Sequence, residues 1–217
     1  MQMLSNFFHQ FSLSTPGGGA VFMWVILLFF IVMVAIVVER AIYIYARSNI
    51  NANRFMAKIR ELVMKENFDK AIELCRSAGH RALPQVVLRA VQEAKSREFV
   101  DFRAVQNAVD EATLELIPRL GKRTGYLAVI GNISTLTGLL GTIYGLIISF
   151  EAAGAAGGGA EALAQGISVA MFTTLWGLIV AIPALVAYTI INTKANAIID
   201  DIDEHSVKLI HLMTRGM

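Results

Sequence analysis

Six small or hydroxyl-bearing residues recur through one otherwise apolar stretch: Gly131, Thr135, Gly138, Thr142, Gly145 and Ser149, spaced 4, 3, 4, 3 and 4. Gly166, Ala170, Thr174, Gly177, Ala181 and Ala184 repeat the device at 4, 4, 3, 4 and 3. Residues three and four apart share one face of an α-helix, so each set forms a stripe. Bulky Phe172, Leu175, Trp176 and Ile179 fall away from the second stripe. Glycine and alanine let helices approach closely where lipid supplies no hydrophobic drive, so helix packing is their expected role. The threonines add chemistry. A hydroxyl can bond the carbonyl four residues back, or it can line a narrow polar path. Thr142 and Thr174 are the candidates for such a path, with Thr135, Thr137 and Thr173 as further hydroxyls. Neither stretch holds Asp, Glu, His, Lys or Arg. Proton relays inside a membrane need an ionisable group, so a proton path here requires a carboxylate brought by another subunit.

The elements that must position these residues are membrane helices. Of 217 residues, 55% are hydrophobic and 17% charged, with mean hydropathy +0.57, too apolar for an ordinary soluble enzyme. Residues 20–38 form a run of 19 without a charge, roughly 28 Å long as a helix. Residues 1–19 hold no Lys or Arg and no cleavage site follows the run, so a retained helix is expected rather than a signal peptide. The runs 127–150 and 162–191 are each long enough to span with some tilt. The Gly-rich segment between them makes the pair a tight hairpin. Sixteen of the 19 Lys and Arg lie between Glu39 and Tyr126 and three follow Ile191. Bases collect on the cytoplasmic side. The expected organisation is a periplasmic N-terminal segment at 1–19, membrane helices at 20–38, 127–150 and 162–191, a cytoplasmic helical domain at 39–126, a periplasmic loop at 151–161 and a cytoplasmic C-terminal helix at 192–217.

Within the cytoplasmic part, Phe55, Ile59, Leu62 and Val63 recur at helical spacing, as do Phe68, Ile72 and Cys75. Asn67 and Asp69 predict a turn and cap between them, and Gly79–Pro84 predicts a second turn. Pro118 and Gly121 predict an interruption before the second span. Cys75 is expected as a small buried hydrophobe, and its being the lone cysteine excludes a disulfide framework. His80, His205 and His211 are scattered and expected at the surface. Asp200, Asp201, Asp203 and Glu204 read as a solvated helix face, or as a docking surface for a partner. No Walker loop, dinucleotide glycine pattern or His/Cys cluster occurs, so no enzyme, cofactor or metal is expected. The net charge of +2 provides no field for nucleic acid.

GLLGTIYGLIISF (Gly138–Phe150) followed by GISVAMFTTLWGLIVAIPALVAY (Gly166–Tyr188) resembles the MotA/TolQ/ExbB proton-channel family, with most likeness to the TolQ and ExbB branch. The Glu39–Arg40 pair and NFDKAIELC (Asn67–Cys75) fit that branch, and the resemblance covers nearly the whole chain. It implies an all-α membrane protein with three transmembrane helices and a cytoplasmic helical domain, assembled as a homopentamer in the bacterial inner membrane. The second and third spans would line a pore enclosing single-span helices of an ExbD-, TolR- or MotB-like partner, whose membrane Asp takes up and releases the ion. Thr142 and Thr174 match the family's pore threonines, and Thr135 and Thr173 join the implied ion pathway. Gly138, Gly141, Gly145, Gly166, Ala170, Gly177 and Pro183 would pack around the pore. Glu39 and Arg40 would sit at the membrane interface. Thr135 stands where the family often has proline, and Val169 where ExbB proteins carry a glutamate. The implied function is an energy-transducing channel subunit. The alternative is a structural membrane scaffold whose stripes only pack helices. A transporter would show internal repeats and broken helices, which three unbroken spans do not.

Overall fold

The computed structural model describes residues 19–48, 50–79, 81–96, 101–154 and 159–215, and every regular element among them is helical. The expectations for residues 1–18, for His80 and for the middle of the Gly-rich loop at 155–158 lie outside the described residues. Three candidate membrane spans lie in Ala20–Tyr45, Phe102–Gly154 and Gly166–Met213. Contacts divide the described chain into two units, one of residues 19–38 and Arg123–Thr189, the other of Glu39–Lys122 and residues 190–215.

The first unit contains most of helix α1 (Gly19–Ala41), all of α6 (Thr124–Gly154) and the first part of α7 (Ala160–Arg215). In α1, Ala20, Met23, Ile26 and Met33 are buried, whereas Val21, Trp24, Leu28 and Ile31 are exposed. One flank of α1 does meet α6: the Phe22 ring lies 5.6 Å from that of Tyr144. Pro183 lies inside α7 and does not end it.

The second unit follows from its caps and apolar faces. A π-helical segment, Ile42–Ser48, continues α1. Helix α2 (Ala52–Met64) starts where the Asn51 side chain accepts the Arg54 backbone N–H at 3.2 Å, and it buries Phe55, Met56, Ile59 and Val63. It ends in a Schellman motif. Glu66 N–H donates to Val63 O and Asn67 N–H to Leu62 O, both at 2.9 Å, with Glu66 left-handed at φ 55°. Asn67 then caps α3 (Phe68–Ser77), as its sequence position predicts. Gly79 at φ 73° closes α3. Helix α4 (Ala82–Lys95) begins before Pro84, so the second turn is shorter than expected. Proline fits the first helical turn because its missing N–H has no intrahelical partner there. Helix α5 (Phe102–Gly121), capped by Asp101, runs through Pro118 instead of breaking at it. The carbonyl that loses its bond is that of Leu114. Both residues are exposed, so water can serve it. α4 packs against α3 and α5, and Cys75 is buried, as expected.

Beyond residue 190, α7 buries Ile198, Ile202, His205, Ser206, Leu209, Ile210 and Met213. His205 is thus 4% exposed rather than a surface residue, because it occupies a core position of that stripe. Asp200, Asp203, Glu204 and His211 are exposed.

Candidate ion-path site

The two stripes face each other. A Cβ at Gly138 would lie 2.9 Å from Thr173 O and 3.2 Å from the Cα atoms of Thr174 and Gly177. One at Gly177 would lie 2.6 Å from Ser134 O. Both glycines stand where backbone meets backbone, so no side chain fits between them without the helices moving apart. Gly145 meets Ala170, Gly166 meets the Ser149 side chain, and Gly141 meets Thr173 and Phe22. Gly138, Gly141, Gly145, Gly166, Ala170 and Gly177 therefore belong to the α6–α7 contact within one chain.

The buried face of α6 is not centred on the stripe read from the sequence. Gly131, Ser134, Gly138, Gly141, Gly145 and Ser149 are buried, and Thr135 and Thr142 flank them half-buried. Ser134 was missed. The spacing 131, 134, 138, 141, 145 is as helical as the threonine-bearing series, and both share the same glycines. The Ser134 hydroxyl is buried without a hydrogen-bond partner among the described residues.

At the edge of this contact three hydroxyls converge on two carbonyls. Thr142 Oγ1 lies 3.1 Å from both Gly138 O and Ala170 O, and the Thr142 and Thr174 hydroxyls are hydrogen-bonded. Thr174 Oγ1 lies 3.3 Å from Gly138 O. Thr173 Oγ1 lies 2.7 Å from Ala170 O and 3.3 Å from Gly138 O. Six contacts thus lie within reach of three hydroxyl protons, and each hydroxyl has one proton to donate. One hydroxyl can rotate away while the others still serve the carbonyls. Thr142 and Thr174 are half-buried, whereas Thr173 is fully buried. Thr135 stands two helical turns from Thr142 and, among the described residues, donates to the Gly131 carbonyl of its own helix at 3.1 Å. Pro183 lies on the exposed side of α7, away from the hydroxyls.

Arg40 is buried in the second unit. Its guanidinium donates to Leu120 O and, at 3.4 Å, to Arg119 O, and its Cζ lies 4.9 Å from the Tyr43 ring centroid. These carbonyls end α5, where a cation satisfies both the orphan acceptors and the negative end of the helix dipole. Glu39 is exposed. Elsewhere in this unit a cavity of about 480 Å³ is lined by residues of α3, α4 and α5, including Cys75, Arg89 and Glu115. Among the described residues, no three His, Cys, Asp or Glu converge where a metal ion could be held.

Comparison with known proteins gives this geometry a context. The chain is 39% identical over 93 residues to the biopolymer transport protein exbB1 of Vibrio cholerae, covering 42% of this chain and 40% of that one. It is 33% identical over 147 residues to a putative biopolymer transport protein, ExbB-like 2, of Helicobacter pylori, covering 66% and 93%. It is 34% identical over 119 residues to the Tol-Pal system protein TolQ of Haemophilus influenzae, covering 52% of each. The chain spans less than two thirds of the Vibrio and Haemophilus proteins. A chain from the structure of C. jejuni MotAB has the same fold, at TM-score 0.57 and 18% identity, covering 85% of this chain and 69% of that one. The profile of the MotA/TolQ/ExbB proton channel family matches residues 78–204, which include both glycine stripes and all four candidate threonines. That family consists of energy-transducing membrane channels rather than enzymes. With more than half of its length matched, and with three candidate spans, this chain belongs to the MotA/TolQ/ExbB proton channel family.

Proposed function

We propose that the chain is the ion-conducting subunit, carrying protons, of a TolQ/ExbB-like inner-membrane complex that turns ion-motive force into mechanical work. A single-span partner of the ExbD, TolR or MotB kind supplies the membrane Asp that this chain lacks. Several copies surround that partner, five in the arrangement we favour, with N-terminus and Gly-rich loop periplasmic and the C-terminus cytoplasmic. Thr142 and Thr174 face the partner's carboxylate. Thr135 extends the polar face, and Thr173 holds the carbonyls from behind. Gly138, Gly141, Gly145, Gly166, Ala170, Gly177 and Pro183 shape the wall. Glu39 and Arg40 serve the membrane interface as structural groups, and lipid covers the outer faces of the spans.

The observation that carries this reading is the surplus of donors, three hydroxyl protons around two carbonyls. A carboxylate in hydrocarbon is costly unless donors meet it while it is ionised. A threonine hydroxyl can donate to the anion and accept from the protonated acid, so it serves both states of a titrating Asp. Because the surplus lets Thr142 or Thr174 turn outward without stranding Gly138 O or Ala170 O, the change is cheap. A hydrogen bond to a charged group contributes roughly 1.5–3 kcal/mol, enough to change ion uptake about tenfold or more.

Thr174→Val and Thr142→Val keep the shape and remove the hydroxyl. Co-expressed with the single-span partner from a neighbouring reading frame, each variant should insert and assemble yet lose most ion-dependent work. Thr174→Ser should keep part of it. Wild-type transduction by both valine variants would leave the hydroxyls as packing groups and favour the structural scaffold, which the same intrahairpin bonds would suit.

A further inference from the structure

The buried stripe of α7 beyond residue 190 carries one titratable side chain. Ile198, Ile202, His205, Ser206, Leu209, Ile210 and Met213 follow the spacing of a core face, and His205 sits among aliphatic neighbours in sequence register. Opposite it, Arg60 on α2 follows Ile59, which is fully buried, and places Nη2 3.5 Å from the His205 Nδ1. A guanidinium has donors only. The contact is therefore a hydrogen bond only while Nδ1 holds a lone pair, which requires the neutral ring with its proton on Nε2.

We propose that His205 is a pH-responsive latch within this unit: the neutral ring accepts from Arg60 and holds α2 to the end of α7, and the protonated ring sets two cations against each other and lets the pair separate. Among the described residues, the charges that act on the ring are Arg60 from α2, in contact with it, and Asp201, Glu204 and Lys208 from α7 itself. Burial is the largest influence and lowers the affinity of the ring for a proton. Glu204 and Asp201 act in the opposite sense, Arg60 and Lys208 in the same sense as burial. Glu204 is the strongest of these charges, but it is exposed and paired with Lys208, and burial outweighs it. The net direction is downward from 6.5. A base with a depressed folded pKa stabilises the fold above its unfolded pKa. That contribution is lost as pH falls below about 6.5 toward the folded pKa. The latch is closed at neutral pH and opens on acidification. It works in the unit that holds no membrane stripe, and it does not depend on ion conduction.

The test is amide exchange in the intact chain in lipid nanodiscs, corrected for intrinsic rates, with peptides covering 52–64 and 196–213. Between about pH 7.5 and about pH 5.5 the wild-type protection of both segments should fall roughly fivefold or more. His205→Gln keeps an acceptor and cannot titrate, so its protection should stay level over the same range. Arg60→Gln should weaken protection at neutral pH and blunt the pH response. Nuclear magnetic resonance of the labelled imidazole should give a ring midpoint below 6.5, a readout that needs no variant to fold. An equal loss of protection in wild type and His205→Gln, or a ring that titrates at or above 6.5, overturns the proposal.

Discussion

Burial takes the Cys75 thiol out of water and pushes its pKa up to about 12. The nucleophile is the thiolate, which at neutral pH is then almost absent. A maleimide should therefore leave the native chain unlabelled and modify Cys75 readily once the chain is unfolded in detergent and urea. Rapid labelling of the native chain would show that the α3 core opens. At this scale much was legible. Cys75 shows its burial by lying at helical spacing from Phe68 and Ile72, and the threonines stand out because nothing around them is polar. Two things were hidden. His205 lies in an Asp-Ile-Asp-Glu-His run that reads as solvated, and only its register with Ile198, Ile202 and Leu209 marks it as inward. Thr135 and Ser134 are adjacent on α6, and spacing alone does not tell which of them faces α7.

Elements end where local hydrogen bonding gives them a stop, and two such stops hold a left-handed non-glycine residue, Glu66 after α2 and Arg123 between α5 and α6. Glu66 closes α2 at φ 55°, a left-handed conformation that costs an L-residue roughly 1–2 kcal/mol and glycine almost nothing. Part of that gain is lost because glycine loosens the unfolded chain. Glu66→Gly should stabilise the second unit by about 0.5–1 kcal/mol, seen as a higher unfolding midpoint of the purified chain. An unchanged or lower midpoint would mean that the Glu66 side chain itself contributes. The caps at Asn51, Asn67 and Asp101 could be read from residue type, since short polar side chains accept the free N–H groups that follow. The passage through Pro118 could not. A proline removes one helical bond and crowds the carbonyl four residues back, and a helix continues through it more readily where water can serve that carbonyl; exposure is a tertiary property. Arg40 was legible as an interfacial charge but not as the group that closes α5, because its acceptors lie 79 and 80 residues away in sequence.

For the whole molecule, charge-free runs and base placement made three candidate spans legible, because hydrocarbon demands length and neutrality from any single helix. Small faces on both inner spans would argue for assembly only if each needed a partner from outside the chain. The interlocked glycines remove that argument, since the two faces are used on each other. The proposed oligomer therefore rests on the family to which the chain belongs, since the apolar residues left exposed on α6 and α7, including Leu136, Leu139, Ile143, Ile147, Leu175 and Ile182, can meet lipid as well as a second copy. Native mass spectrometry of the chain in mild detergent should give a pentamer, and monomers alone would sink that proposal. The neutrality of residues 127–150 and 162–191 has an electrical consequence as well. A membrane potential does work only on charge, about 2.3 kcal/mol per elementary charge for each 100 mV. With no side-chain charge inside the field, the hairpin carries no gating charge of its own. Voltage can act on it only through a charged body pressing against it. In any assembly containing this chain, neutral substitutions along the hairpin should alter the rate at which work is done and leave its voltage slope unchanged.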